Sequence, residues 1–358
     1  IARASWLVTA SSASDTAATA GARTGRGKRE VTVATGGSLR RETAVLIEDM
    51  LQGNARALAR LITIVERDDE ESYQVLRNIN PSGKAHRVGV TGPPGAGKST
   101  LVGRLTSCAR EDELHVGIIC ADPSSPFSGG AVLGDRFRMQ QHYVDEGVHI
   151  RSMSLRGSLG GLPATVHGVI KLMEASGKDL ILVETVGVGQ MELDVMDSVD
   201  TVVVTLVPEA GDDVQAMKAG LMEIADIFVV NKADRPGADR LVVSIKSMLN
   251  LAMPQGDWKI PVLAAAAENN VGVPELYQHI RNHWKTGMET GRVEERRARQ
   301  RANELTTVLE KMVVQEFNKA MSSDRRLAVY LREMNEGTLS PYAAAEKIYS
   351  IIAQKDEK

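Results

Sequence analysis

Between His86 and Lys285 short β-branched runs alternate with stretches of helical periodicity. The runs are HRVGVT (86–91), HVGIICAD (115–122), DLILVET (179–185), DTVVVTLV (200–207), DIFVVNK (226–232) and IPVLAA (260–265). Strands buried on both faces read as continuous apolar text, and strands separated by helices build βαβ units. The pattern therefore predicts an α/β fold with a doubly wound, mainly parallel sheet over 83–290. Before it, Val45, Leu46, Leu51, Leu58, Leu61, Ile62 and Val65 recur at helical spacing, predicting an N-terminal helical arm over 38–82. After it, Leu305, Val308, Leu309, Met312, Val313 and Phe317 form one apolar face of a C-terminal helical extension over 291–358. That face requires a partner, either the core or another subunit.

Composition changes this picture little. Of 358 residues 43% are hydrophobic and 25% charged, and the net charge is −3, so no global field draws the chain to nucleic acid or membrane. The basic run GRVEERRARQRAN (291–303) carries interleaved glutamates and reads as a solvated helix face. No apolar stretch of about 18 residues is present, so no membrane span is expected. Cys108 and Cys120 make neither a disulfide framework nor a zinc spacing, in keeping with a reducing compartment. Residues 1–37 form a tail whose first 29 residues are rich in Ser, Thr and Ala, with basic residues and Asp15 as the sole acid. This fits an organellar transit peptide, and equally a generic disordered tail. The expected compartment is the mitochondrial matrix, or the cytoplasm for a bacterial source.

The stretch TGPPGAGKST (91–100) satisfies G-x-x-x-x-G-K-[ST] between a strand and a helix, the context that identifies a phosphate-binding P-loop. Gly92, Pro93, Pro94, Gly95, Ala96 and Gly97 turn backbone N–H groups inward, and the helix N-terminus adds its positive end. Lys98 is expected to reach the β- and γ-phosphates, Ser99 to ligate Mg²⁺, and Thr100 to complete the cradle. Asp122 closes one strand, Glu184 another, and Asp135 lies in the loop PSSPFSGGAVLGDRFRM; with Ser99 they supply the hard oxygen ligands that Mg²⁺ demands. Taken singly, Asp122 also suits a turn before Pro123 and Asp135 a helix cap.

Asn231-Lys232-Ala233-Asp234 follows another strand. Guanine presents donors at N1 and N2 that one carboxylate, Asp234, accepts together, whereas adenine would leave that carboxylate unpaired. The expected nucleotide is GTP, hydrolysed to GDP. Asn231 is expected to support the loop, Lys232 to pack its stem over the base, and Ala266-Ala267 to stand where many GTPases carry Ser-Ala, the N–H of Ala267 meeting the base carbonyl.

Together, TGPPGAGKST, ADPSSPFSGGAVLGDRFRM, VETVGVGQ, AGDDVQAMKAGLMEIAD and NKAD resemble the methylmalonyl-CoA mutase-associated GTPases, the methylmalonic aciduria type A group also labelled LAO/AO transport system ATPases. The resemblance runs from about residue 38 to the C-terminus. It implies a P-loop NTPase fold with GTP/GDP and Mg²⁺. It also implies a chaperone role in delivering adenosylcobalamin to methylmalonyl-CoA mutase, possible contact with a cobalamin adenosyltransferase, and a homodimer built on the C-terminal extension. Lys98, Ser99, Asp122, Asp135 and Glu184 match the family's phosphate and metal positions. Val188 follows Gly187 where Ras-like proteins carry Gln, which implies slow intrinsic hydrolysis; Asp135 and then Gln190 are the candidates to orient the attacking water. Asp212, Gln215 and Lys218 match an additional switch segment, although an Asp here also caps a helix in ordinary loops. Two alternatives compete: a kinase of amino-acid transport binding proteins, which NKAD disfavours, and a nickel-insertion GTPase, which the scattered histidines disfavour.

Overall fold

The computed structural model describes residues 39–122, 139–154, 161–185, 187, 194–208, 221–252, 258–323 and 325–353. Three helices lead: α1 (Arg41–Leu51), α2 (Ala55–Val65) and α3 (Glu70–Arg77). Asn54 and Asp69 cap α2 and α3 by accepting from backbone N–H groups of each first turn. Seven strands follow: β1 (His86–Thr91), β2 (Val116–Asp122), β3 (Val148–Ser154), β4 (Leu180–Thr185), β5 (Thr201–Leu206), β6 (Ile227–Val230) and β7 (Val262–Ala264). They form one sheet in the order β3-β2-β4-β1-β5-β6-β7, and every pairing is parallel. Between and after them run α4 (Lys98–Glu111), α5 (Gly161–Ala175), α6 (Leu221–Ile224), α7 (Ala238–Ala252), α8 (Val273–Glu289), α9 (Arg292–Ser323), α10 (Arg325–Asn335) and α11 (Pro341–Ala353).

Both faces of the sheet are covered, which is why its strands read as unbroken apolar runs. Val88, Val90, Leu180, Leu182, Val203 and Val229 point into one core with Leu101 and Leu105 of α4 and Leu276 and Ile280 of α8. The alternate residues Ile181, Val183, Val202, Val204 and Phe228 point into the other, shared with α2, α5 and α7. The helical arm is part of this second core: Leu58, Leu61 and Ile62 are fully buried there. Gly89 faces the same side, and a methyl group in its place would collide with Met196 and Val199.

β3 was not among the runs expected from sequence. His149, Arg151 and Ser152 interrupt its apolar text, because it is the edge strand, bonded only to β2. Arg151 of β3 is ion-paired with Glu66 just beyond α2. Among the described residues, no helix is long and apolar enough to cross a membrane.

The root of α9 is fastened to the amino-terminal edge of the sheet. Arg297 donates from Nε and Nη2 to the two carboxylate oxygens of Asp200, each at 2.8 Å, and from Nη2 to Ala85 O at 2.6 Å. Arg296 donates to Asp226 at 2.7 Å, and Gln300 donates to Val199 O at 2.8 Å. The Asp200 carboxylate is wholly buried. Arg297→Ala would leave it a buried uncompensated charge, and is expected to cost about 3–5 kcal/mol in urea melts.

Beside this clamp, His86 stacks on Trp284 with ring centroids 4.6 Å apart and is hydrogen-bonded to Thr201 Oγ1 at 2.8 Å. Burial pulls the His86 pKa down to about 3; Asp200 opposes the shift, and His283 and Arg297 add to it. Since the unfolded chain takes up this proton near pH 6.5 and the folded chain does not, stability is retained above that pH and falls between about 6.5 and 3. The contribution is on the order of 1 kcal/mol per pH unit. Chemical denaturation across pH 4–8 should show this slope, and His86→Phe should remove its share, leaving that of His149, whose pKa burial pulls down to about 4.

Candidate nucleotide site

The P-loop leaves β1 at the centre of the sheet. From there the chain winds outward to β2 and β3 on one side and later from β5 to β7 on the other, so the loop stands where the winding changes direction. In such sheets the crevice beyond the strands' carboxyl ends at this point is where ligands bind. Backbone geometry makes two glycines obligatory. Gly92 has φ 143°, and a Cβ there would meet the carbonyl oxygen of Thr205; Gly97 has φ 82°, and a Cβ would meet the side-chain amide of Asn231. Pro93 and Pro94 carry the turn, closed by Ala96 N–H donating to Pro93 O at 3.2 Å, while Gly95 sits at its exposed tip with φ 75°.

α4 begins at Lys98, so the N–H groups of its first turn, which lie outside the helix's own ladder, and its positive end face the loop. The Lys98 ammonium curls under it, donating to Gly92 O at 2.7 Å and Pro93 O at 2.9 Å, and is 5% exposed. Ser99 Oγ donates to Glu184 Oε1 at 2.6 Å, both residues buried. Thr100 is half-buried beside them. Glu184 is in register with Val90 of β1 and Cys120 of β2, and Asp122 closes β2 two positions beyond Cys120. A hydroxyl and a carboxylate converging at hydrogen-bond distance are hard-oxygen donors of the kind that suits Mg²⁺.

One side chain joins the phosphate loop to the candidate base loop. Asn231, 2% exposed, donates from Nδ2 to Ala96 O at 2.8 Å and accepts at Oδ1 from Ala267 N–H at 3.1 Å. The N–H of Ala267, expected to meet a base carbonyl, is thus already engaged by Asn231. Lys232 adopts the left-handed φ of 56°, an arrangement that costs a non-glycine residue about 1–2 kcal/mol and that surrounding structure must impose. It is imposed here by Asn231 N–H donating to Leu206 O at 2.8 Å and Ala233 N–H to Ala265 O at 2.9 Å. Asp234 follows, exposed to solvent, while Ala266 and Ala267 are buried.

Sequence reasoning missed three supports. Thr91 Oγ1 donates to Gly187 O at 3.1 Å and accepts from Thr185 Oγ1 at 2.9 Å, tying the glycine of ETVG to the root of the P-loop. Arg104 of α4 donates to Ala267 O at 3.2 Å and Glu268 O at 2.8 Å, pinning the loop after β7. The two threonines were visible as strand-terminal hydroxyls; nothing in the sequence marks Arg104. Asp135, Gln190, Asp212, Gln215 and Lys218 lie outside the described residues, as does the side chain of Asp122.

Comparison with known proteins agrees with this arrangement. A family profile described as methylmalonyl-CoA mutase-associated GTPase MeaB matches residues 58–322. A Pyrococcus abyssi protein carrying a provisional GTPase name is 46% identical over 313 residues, 86% of this chain and 96% of that one. The mouse methylmalonic aciduria type A homolog, named as mitochondrial, is 32% identical over 320 residues, 84% of this chain and 77% of its own. A crystal structure titled LAO/AO transport system kinase superposes with a TM-score of 0.64 at 28% identity, covering 88% of this chain and 100% of that one. A P-loop, an NKAD loop bonded to it through Asn231, and a family match across most of the chain place this protein among the P-loop GTPases of the methylmalonyl-CoA mutase-associated MeaB family.

Proposed function

We propose that this GTPase couples GTP hydrolysis to the delivery of adenosylcobalamin to methylmalonyl-CoA mutase and to protection of the loaded enzyme. The observation that carries the nucleotide half is the Asn231 bridge, which fixes the spacing between the phosphate loop and Asp234. The mutase half is supported by the family's description and by the name of the mouse relative. The division of labour follows the chain: helical arm 38–82, GTPase body 83–290, and extension 291–358. On that extension Leu305, Leu309, Met312 and Val313 are exposed, a face suited to a second copy of the chain. A matrix location is proposed from the tail's composition and the mouse relative's name.

The residues take the following roles. N–H groups of the loop 92–97 and the start of α4 hold the phosphates, and Lys98 exchanges its loop carbonyls for phosphate oxygens. Ser99 and Glu184, with Asp122, are the proposed holders of Mg²⁺, which when bound would neutralise charge on the β- and γ-phosphates. Lys232 is proposed to cover the base and Asp234 to select guanine. Asp135 and Gln190 are the proposed groups for orienting water, and Asp212, Gln215 and Lys218 the proposed relay to the mutase.

Asp234→Asn should lower GTP affinity by about tenfold or more and open the site to xanthosine triphosphate, whose 2-oxo group accepts from the new amide. Calorimetry with both nucleotides checks this, and undiminished preference for GTP would remove Asp234 from the base site. GTP turnover, measured with and without the mutase and with Lys98→Ala as the inactive control, should rise when the mutase is added. An unchanged rate with no co-elution on gel filtration would reject the chaperone role.

A further inference from the structure

Residues 264–267, which close β7 and open the loop beside NKAD, are four alanines, and Ala265, Ala266 and Ala267 are buried. Where many GTPases carry a serine, Ala266 offers only its backbone, so the peptides of this loop are oriented from outside. Ala265 N–H donates to Val230 O at 2.8 Å, and Ala266 pairs with Val271 through two backbone bonds of 2.9 and 3.2 Å. Ala267 N–H is taken by Asn231 Oδ1. Those of Asn269 and Asn270 turn back to Ala266 O and Ala267 O at 3.0 and 3.2 Å. Among the described residues, the N–H of Glu268 is the one between Ala265 and Val271 with no acceptor.

Arg104 decides where that donor points. Half-buried in the second turn of α4, it donates from Nε to Ala267 O at 3.2 Å and from Nη2 to Glu268 O at 2.8 Å. In a trans peptide the N–H lies opposite the preceding carbonyl, so holding Ala267 O against α4 turns Glu268 N–H to the side away from that helix. A planar guanidinium bonded to two successive carbonyls fixes direction as well as distance, which a single ammonium cannot do. The far end of α4 is fastened to the helix that follows the loop: Asp112 accepts from Tyr277 Oη at 2.9 Å and from Arg281, both on α8. α4 thus carries Lys98 and Ser99 at its start and the base loop against its flank.

We propose that Arg104 is a positioning residue for the purine: by holding the peptide between Ala267 and Glu268 it presents the Glu268 N–H to the carbonyl at position 6 of guanine. It touches no part of the nucleotide itself. The inference rests on the base reading above, in which Asp234 takes the N1 and N2 donors, and it assigns the remaining acceptor on the same edge. A 6-oxo group accepts this hydrogen bond, whereas the 6-amino group of adenine sets a donor against a donor, so Arg104 adds a second discrimination to that of Asp234. Because Arg104 stands on the helix that Lys98 and Ser99 begin, phosphate and base recognition share one element.

Calorimetry of the full chain with GTP, inosine triphosphate and 6-thioguanosine triphosphate separates the two contacts. Inosine lacks the 2-amino group that Asp234 reads, and the thio base replaces the 6-oxygen by a weaker acceptor. The unaltered protein should prefer GTP over each by about tenfold. Arg104→Met keeps the length of the stem without its donors; it should cut the preference over the thio nucleotide to about twofold and retain the preference over inosine triphosphate. Arg104→Lys, able to reach one carbonyl, should restore part of the loss, and in turnover the loss should fall on KM rather than kcat. A thio preference unmoved in Arg104→Met, or all three affinities lowered by one common factor, would overturn the proposal and leave Asp234 in place. Equal affinity for GTP and inosine triphosphate in the unaltered protein would overturn the base reading and this inference with it.

Discussion

A single buried carboxamide holds the nucleotide site together. Asn231 reaches across from the end of β6 to the carbonyl of Ala96 on one side and the N–H of Ala267 on the other. Phosphate and base loops are separated by more than a hundred residues of sequence, yet their separation in space is set by three atoms of one side chain. Position 97 must be glycine because that carboxamide occupies the space a Cβ would need, and its left-handed φ favours the same residue. Strain at Lys232, tolerated by the backbone bonds around it, belongs to the same constraint.

The parallel sheet supplies the frame for that constraint. With all strands pointing one way, their carboxyl ends gather the P-loop, Glu184 and NKAD along one edge, and β1 lies between β4 and β5 so that Ser99 meets Glu184. The opposite edge is given over to fastening: Asp200, Asp226, Thr201 and His86 meet Arg296, Arg297, His283 and Trp284. The candidate nucleotide-site groups and the fastening groups are thus segregated by strand direction.

The fold was legible where burial is two-sided. Central strands such as VVVTL and LILVE declare themselves because neither face can tolerate charge, and the P-loop does so because few spacings place glycines, lysine and serine around an anion. β3 escaped because an edge strand tolerates His149 and Arg151. The base-loop bond from Ala267 to Asn231 escaped for another reason: a backbone N–H carries no sequence signal of which partner it will take. The same holds for Arg104, whose two carbonyl partners lie more than 160 positions away. The clamp at Asp200 was hidden in a run of basic residues that reads as a solvated face, yet Arg297 within it is almost wholly buried.

That clamp has a mechanical consequence. α9 is 32 residues long, which at 1.5 Å per residue gives a rod of about 48 Å, gripped at its root through Arg296, Arg297 and Gln300 and tied again to α5 through Glu304 and to Asp68 through Lys311. From Lys311 to Ser323 about 18 Å of rod extends beyond the last of these ties, so a tilt of about 5° there moves the tip by about 2 Å. Because Gln300 and Arg297 hold Val199 and Asp200, a shift in the stretch leading into β5 is carried into the rod and passes through Glu304 to α5 and through Lys311 to the turn before α3.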